Sequence, residues 1–149
     1  MIPIKVQTYL NSLLYDILEL DLSNCNLTEL PDLSRFTQLQ RLDCYNNQLT
    51  SLPDTLPDSL QTLDCQYNQL TTLPNTLPNS LQILYCHRNQ LTSLPDNLPN
   101  SLQILSCSSN QLTSLPNTLH NSLKELYCGM MKKFNSLSTH RTTSYHRCQ

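Results

Sequence analysis

Cysteine is the residue type in this chain that is best suited to metal binding or nucleophilic chemistry. Most of the cysteines occupy one repeated position. They lie at steps of 21 residues, at Cys44, Cys65, Cys86, Cys107 and Cys128. Thiolates can bind zinc, but zinc needs four ligands that converge on a tetrahedron. If each repeat contributes one parallel strand, the thiols instead form a row about 4.8 Å apart, all pointing the same way. We therefore predict buried, reduced, apolar cysteines with no metal site and no cofactor.

The positions of the four histidines do not predict a catalytic site. Of His87, His120, His140 and His146, only His87 falls on a predicted strand face. The sequence also lacks a G-x-S-x-G motif, a phosphate-binding loop, an H-E-x-x-H motif and spaced paired carboxylates. We predict a non-enzymatic protein with no catalytic residues. The alternative from another class is an enzyme that uses the C-terminal histidines or Cys148, the thiol we expect to be alkylated first.

The cysteine position belongs to a unit that recurs along most of the chain. It reads L-x-x-L-x-C-x-x-N-x-L-x-x-L-P-x-x-L-P-x-S, with units starting near residues 17, 39, 60, 81, 102 and 123. A fixed period of this length indicates a solenoid in which stacked units share one continuous core. The pattern resembles the leucine-rich repeat family, and within it the short proline-bearing repeats of bacterial secreted effectors and of giant viruses of amoebae. The resemblance implies a horseshoe arc that binds other proteins.

Within one unit, Leu84 and Cys86 alternate with Ile83, Tyr85 and His87, which predicts a strand with one buried face. The fold class is therefore an α/β repeat solenoid with a short-stranded parallel sheet on its concave face. Pairs of prolines four residues apart predict irregular, polyproline-like convex segments without helical turns. The first unit lacks the second proline, which allows a turn around residues 33–36, and in the fifth unit His120 replaces that proline. A structural asparagine ladder should satisfy the backbone where each strand ends, at Asn47, Asn68, Asn89 and Asn110.

The two ends of the chain depart from the repeat. Residues 1–16 predict a helical cap, because apolar residues recur at helical spacing. These are Val6, Leu10, Leu13, Leu14 and Ile17. Residues 17–128 form the repeats, and 129–149 form a basic, non-repeat tail. That tail is a partial cap, a disordered segment or the frameshifted remnant of a longer array.

The charge of the chain is divided unevenly between body and tail. Residues 1–128 carry a formal charge of -6, and residues 129–149 carry +4. An acidic body does not favour a phosphate backbone, so we expect no nucleic-acid partner. No apolar run is long enough for a membrane span, and no secretory leader opens the sequence. We expect a cytoplasmic protein, in the host-cell cytoplasm if it comes from a virus or an effector.

The candidate binding site is the concave face, where side chains that point away from the core are free to vary. These outward positions include an acidic column (Asp21, Asp43 and Asp64), followed by more apolar residues and Ser106. The residues we predict to contact a protein partner are Arg41, Asp43, Tyr45, Asp64, Gln66, Tyr67, Ile83, Tyr85, His87 and Arg88. One alternative is that these positions are merely solvated. Another is that the chain is a fragment of a longer repeat-containing effector or enzyme whose active part lies elsewhere.

Overall fold

The computed structural model describes residues 2–117 and 119–129. One helix, α1 (Ile4–Ser12), precedes six strands of three residues each. The strands are β1 (Glu19–Asp21), β2 (Arg41–Asp43), β3 (Thr62–Asp64), β4 (Ile83–Tyr85), β5 (Ile104–Ser106) and β6 (Glu125–Tyr127).

All six strands form one parallel sheet whose spatial order is the order of the chain. The register pairs equivalent repeat positions, so that Leu63 lies beside Leu42 on one side and Leu84 on the other. The central leucine of every strand is buried, because its side chain points into the solenoid. The prediction of a repeat solenoid with a short-stranded parallel sheet is confirmed, and the arrangement is consistent with a horseshoe arc.

The interior is a continuous stack of leucines flanked by the cysteine row. Cys44, Cys65 and Cys86 are fully buried, and Cys107 is almost equally so. Burial raises the pKa of the Cys86 thiol well above its ordinary value and that of Cys107 to about 12. These thiols are therefore protonated apolar fillers, a state in which cysteine is unreactive. Residues 2–117 and 119–129 contain no group of side chains that could hold a metal ion.

The segments opposite the sheet contain a feature that the proline pattern did not predict. They are irregular, but each ends in a tight turn in which the N–H of a core leucine bonds the carbonyl three residues back. Leu60 bonds Pro57, and Leu81 bonds Pro78, both at 3.0 Å. The proline pattern did not predict these turns, and they are compatible with the missing N–H because each proline stands first in its turn and contributes only its carbonyl. The turn expected in the first unit is present, from Phe36 to Leu33 at 3.0 Å.

The N-terminal helix packs against the first repeat through Val6 and Leu10, both buried. It ends at Ser12, where Leu13 becomes extended, so the apolar stripe predicted through residue 17 is not all helical. Arg35 fixes this junction: its guanidinium donates to the Leu10 carbonyl and lies 4.5 Å from the Phe36 ring centre. No helix among the described residues is long and apolar enough to cross a membrane. The predictions for residues 130–149, including Cys148, lie outside the described residues.

Candidate protein-binding face of the sheet

The asparagine ladder fixes the backbone just beyond each strand and so positions the candidate site. The Asn89 side chain accepts a hydrogen bond from the Leu70 N–H at 2.9 Å. Its amide donates to the carbonyls of Cys65 at 3.0 Å and Cys86 at 3.1 Å. One side chain thereby ties the loop of its own repeat to the loop of the preceding repeat. Equivalent contacts recur at Asn47, Asn68 and Asn110.

A second hydrogen-bonded column links the turns on the opposite side. Ser80 donates to the Leu60 carbonyl at 2.7 Å, and Ser101 donates to the Leu81 carbonyl at 2.6 Å. No role was predicted for this serine. The sequence feature that could have indicated a role is the recurrence of serine at the last position of the repeat, directly before the first leucine.

We define the outer face of the sheet as the first and third residues of each strand and the position one residue past each buried cysteine. Register places like positions side by side, so Ile83 pairs with Thr62 and Ile104. Tyr85 pairs with Asp64 on one side and Ser106 on the other. Ile83, Tyr85 and Ile104 are each half-buried, which leaves part of every side chain accessible.

At the N-terminal half of the outer face, charge is neutralised within one strand. Arg41 Nε lies 2.9 Å from Asp43 Oδ2, with 45% of the Arg41 side chain exposed. The hydrogen bond to Asp43 raises the pKa of Arg41. Tyr45, the predicted contact that follows this strand, is half-buried and lies one residue beyond the buried Cys44. This half therefore carries a partly exposed ion pair, and such a pair by itself contributes little free energy to stability or binding.

Asp64 lies in register with Asp43, and Asp43 with Asp21, as the acidic column predicts, but only 7% of Asp64 is exposed. Gln66 encloses its carboxylate, donating from its backbone N–H at 3.2 Å and from its side-chain amide at 3.0 Å. Burial raises the pKa of Asp64, and the Gln66 bonds oppose that rise. Ser106 is also 7% exposed. The interpretation of both as open binding positions is wrong, because neighbouring side chains cover them.

The raised pKa makes Asp64 a source of pH-dependent instability. Protonated Asp64 favours the folded state, so its contribution is most favourable below the ordinary carboxyl pKa and is lost as pH rises through the folded-state pKa. We expect Asp64→Asn to raise the melting temperature at about pH 7, with the gain shrinking towards about pH 3. Thermal unfolding followed by circular dichroism at both values measures this. Asp96→Asn, at an exposed carboxylate away from the sheet, is the control and should give no gain. An equal gain from Asp64→Asn at both pH values would contradict the assignment.

Beyond β3 and β4, three side chains form what we call the Tyr67 cluster: Tyr67, His87 and Arg88. The Tyr67 and His87 rings meet edge to face with centres 5.8 Å apart. The Arg88 guanidinium lies 4.8 Å from the centre of the Tyr67 ring. His87 Nδ1 is 3.1 Å from Ser106 Oγ, and burial lowers the pKa of this imidazole. Tyr67 and Arg88 are exposed, so the cluster presents an aromatic surface with a cation on it.

Tyr67 and Arg88 occupy a special backbone position. Each directly precedes a ladder asparagine and has φ of 54°, in the left-handed region. The equivalent positions in the flanking repeats are Asn46, with φ of 52°, and Ser109, with φ of 54°. Asparagine is enriched there among non-glycine residues, whereas long side chains are uncommon. The sequence prediction included Tyr67 and Arg88 as site residues but did not anticipate this conformation.

Models of leucine-rich repeats match residues 17–57 and 58–100 as two-copy units and residues 101–122 as a single repeat, together more than half of the chain. The chain belongs to the leucine-rich repeat family. No curated protein matches the sequence significantly.

Several solved leucine-rich repeat structures from bacteria share this architecture. A Shigella effector LRR domain is 35% identical with a TM-score of 0.71, over 89% of this chain and 57% of that one. YopM from Yersinia enterocolitica is 32% identical with a TM-score of 0.68, over 78% of this chain and 29% of that one. The functional domain of Listeria monocytogenes InlJ, which includes a cysteine ladder, is 32% identical with a TM-score of 0.60, over 74% and 27% respectively. This leucine-rich repeat chain therefore spans less than two thirds of each of these three structures.

Proposed function

We propose that this leucine-rich repeat chain is a non-catalytic interaction module that binds a protein partner on the outer face of its sheet. The observation that carries the proposal is the juxtaposition of Ile83, Tyr85 and Ile104 in register beside the Tyr67 cluster. Together they make an accessible surface of apolar and aromatic groups with one cation. Such surfaces provide the anchors on which protein interfaces depend, since tyrosine and arginine are enriched among hot-spot residues.

The construction of the solenoid supports a binding role. Every inward side chain of the repeat is committed to packing, and the ladder asparagines are committed to the backbone. Apart from Asp64 and Ser106, the outward positions carry no such constraint, and they change from Arg41 and Asp43 in β2 to Ile83 and Tyr85 in β4. Membership of the leucine-rich repeat family adds support, because its stacked repeats create extended surfaces of the kind used for binding.

A second candidate is favoured by the length of the structural neighbours. The chain covers 57% of the Shigella effector LRR domain and 29% of YopM. We therefore keep the hypothesis that these repeats are the binding part of a longer effector or enzyme whose active part lies outside this chain. The outer face would have the same role in either case. We also propose a reducing, cytoplasmic setting, which suits a core built on reduced cysteines.

The test of the proposed site uses random linear peptides displayed on phage and selected on the intact chain. Peptides that bind the native chain are then measured on Tyr85→Ala. We expect affinity to fall by at least about 1 kcal/mol, or about fivefold, because Tyr85 lies at the centre of the apolar surface. The melting temperature should stay nearly unchanged, because Tyr85 is only half-buried.

Asp96→Ala is the matched control, since Asp96 is exposed on the side opposite the sheet and its loss should not weaken binding. Full retention of binding by a Tyr85→Ala, Arg88→Ala double variant would exclude the outer face. The exposed Asp54, Asp58 and Asp96 side would then become the candidate surface. Peptide binding that is lost in Asp96→Ala but kept in the double variant would locate the site there.

A further inference from the structure

The position that precedes each ladder asparagine imposes a left-handed backbone, and its occupant changes along the solenoid. Asn46 holds the position in the second repeat with φ of 52°, and Asn24 holds the equivalent position in the first repeat, before Cys25, with φ of 56°. Asparagine suits the conformation, and the Asn46 side chain donates to Asn24 Oδ1 at 2.6 Å. Tyr67 and Arg88 hold the same position at φ of 54°, although neither residue type favours it. Local backbone preference therefore does not account for these two residues.

The contacts of Tyr67 and Arg88 within the chain also do not explain why these residue types occupy the left-handed position. Both side chains are exposed, and their mutual contact places the Arg88 guanidinium 4.8 Å from the ring centre. Among the described residues, Arg88 makes no salt bridge, in contrast to Arg41 with Asp43. Its N–H groups are thus held in place by an aromatic platform and a fixed backbone while no carboxylate occupies them. Residues held in unfavourable backbone conformations concentrate at functional sites.

The surroundings of Arg88 define the chemistry of a ligand. Between residues 81 and 124 the sequence contains a single acid, Asp96, which lies away from the sheet. From Arg88 to Lys124 no acid lies on this side of the solenoid. In the preceding strand, Asp64 pairs with Tyr85, but Asp64 is only 7% exposed and its carboxylate accepts the hydrogen bonds of Gln66. A guanidinium offers a planar set of donors that matches a carboxylate in two parallel hydrogen bonds. Ile83 and Tyr85 supply adjoining apolar surface for the neighbouring side chain of the same ligand.

We propose that Arg88, held on Tyr67 in a left-handed backbone position, binds a carboxylate of the protein segment that docks on the outer face. The carboxylate belongs to an aspartate, a glutamate or a chain terminus, and an apolar residue next to it packs on Tyr85. This inference rests on the proposed function and specifies the partner's chemistry. The two exposed residues place the contact at the edge of the face, where the strands give way to loops.

Asparagine substitutions separate a binding role from a structural one. Arg88→Asn and Tyr67→Asn install the residue that Asn46 already uses, so we expect melting temperatures that are equal or higher. Ser109→Asn makes the same change in the next repeat and is the matched control. All three variants should fold equally well, but only the first two should weaken peptide binding, by tenfold or more. A fall in melting temperature for Tyr67→Asn would overturn the inference, because it would assign Tyr67 to packing.

The peptides selected on the native chain provide the second readout. We expect a recurrent aspartate, glutamate or C-terminal carboxylate beside an apolar residue. Where the carboxylate is a side chain, a peptide with asparagine or glutamine in its place should bind the native chain at least tenfold more weakly. The affinity of that amide peptide should fall little further on Arg88→Asn. Binders without a carboxylate, or undiminished binding to Arg88→Asn, would overturn the carboxylate contact. If the carboxylate contact fails in this way but the peptides still bind Tyr85→Ala more weakly, the proposed function stands. If neither variant binds the peptides more weakly, or if no peptide binds the native chain, both the proposed function and the carboxylate contact are excluded. Displacement of the peptides by a single-stranded oligonucleotide through Arg88 would point to phosphate and also overturn the inference.

Discussion

Replacing Asn89 with alanine is expected to lower the free energy of unfolding by roughly 3 to 5 kcal/mol, because several buried backbone groups lose their partner together. The Leu70 N–H loses its acceptor at 2.9 Å. The Cys65 and Cys86 carbonyls lose donors at 3.0 and 3.1 Å. Asn89 is only 8% exposed, so water does not readily replace the amide. Urea-induced unfolding followed by circular dichroism measures the change.

Two further substitutions test the cause of that loss. Asn89→Asp keeps the shape but replaces the donating amide with an oxygen that faces the Cys65 and Cys86 carbonyls, so it should destabilise at least as strongly at neutral pH. Gln90→Ala changes the exposed neighbour and should lie within about 0.5 kcal/mol of the native chain. If Asn89→Ala were no worse than Gln90→Ala, the ladder would have no role in holding adjacent repeats together.

The asparagine ladder shows what a repeat makes predictable. A polar residue that recurs at the end of every predicted strand has to serve something common to all repeats, and the backbone is the only common group there. The same logic places the central leucines, because a shift of one residue would turn every side chain to the opposite face. The register of the sheet, in which Leu63 pairs with Leu42 and Leu84, follows directly from the period.

The outer face was less predictable, because its environment depends on neighbours in other repeats. Asp64 alternates like an exposed strand residue, yet Gln66 and the adjoining strands cover it. The left-handed position was equally hidden, since tyrosine and arginine carry none of the sequence signal that glycine or asparagine would give. The turns near Pro57 and Pro78 were missed for a different reason. Proline was treated as a residue without a donor, but there it serves as an acceptor.

The second large effect is expected at Leu84, the central residue of β4. Leu84→Ala should lower the free energy of unfolding by about 2 to 5 kcal/mol, the range observed when a buried leucine leaves a cavity. Leu84 is fully buried and lies between Leu63 and Leu105 in the sheet, so both neighbouring repeats lose contacts. Urea unfolding measures the loss. A smaller slope of the unfolding free energy against urea concentration would indicate that the repeats on either side no longer unfold together.

The neighbouring residue in the same strand supplies the control. Ile83 points to the outer face and is half-buried, so Ile83→Ala should cost about 1 kcal/mol or less. The proposed binding site predicts the opposite order for affinity, in which Ile83→Ala weakens peptide binding and Leu84→Ala, measured where it remains folded, does not. A stability loss at Ile83 equal to that at Leu84 would mean that the outer face is packed as tightly as the core. The face would then be occupied by the protein's own structure, and its apolar residues would no longer support a partner.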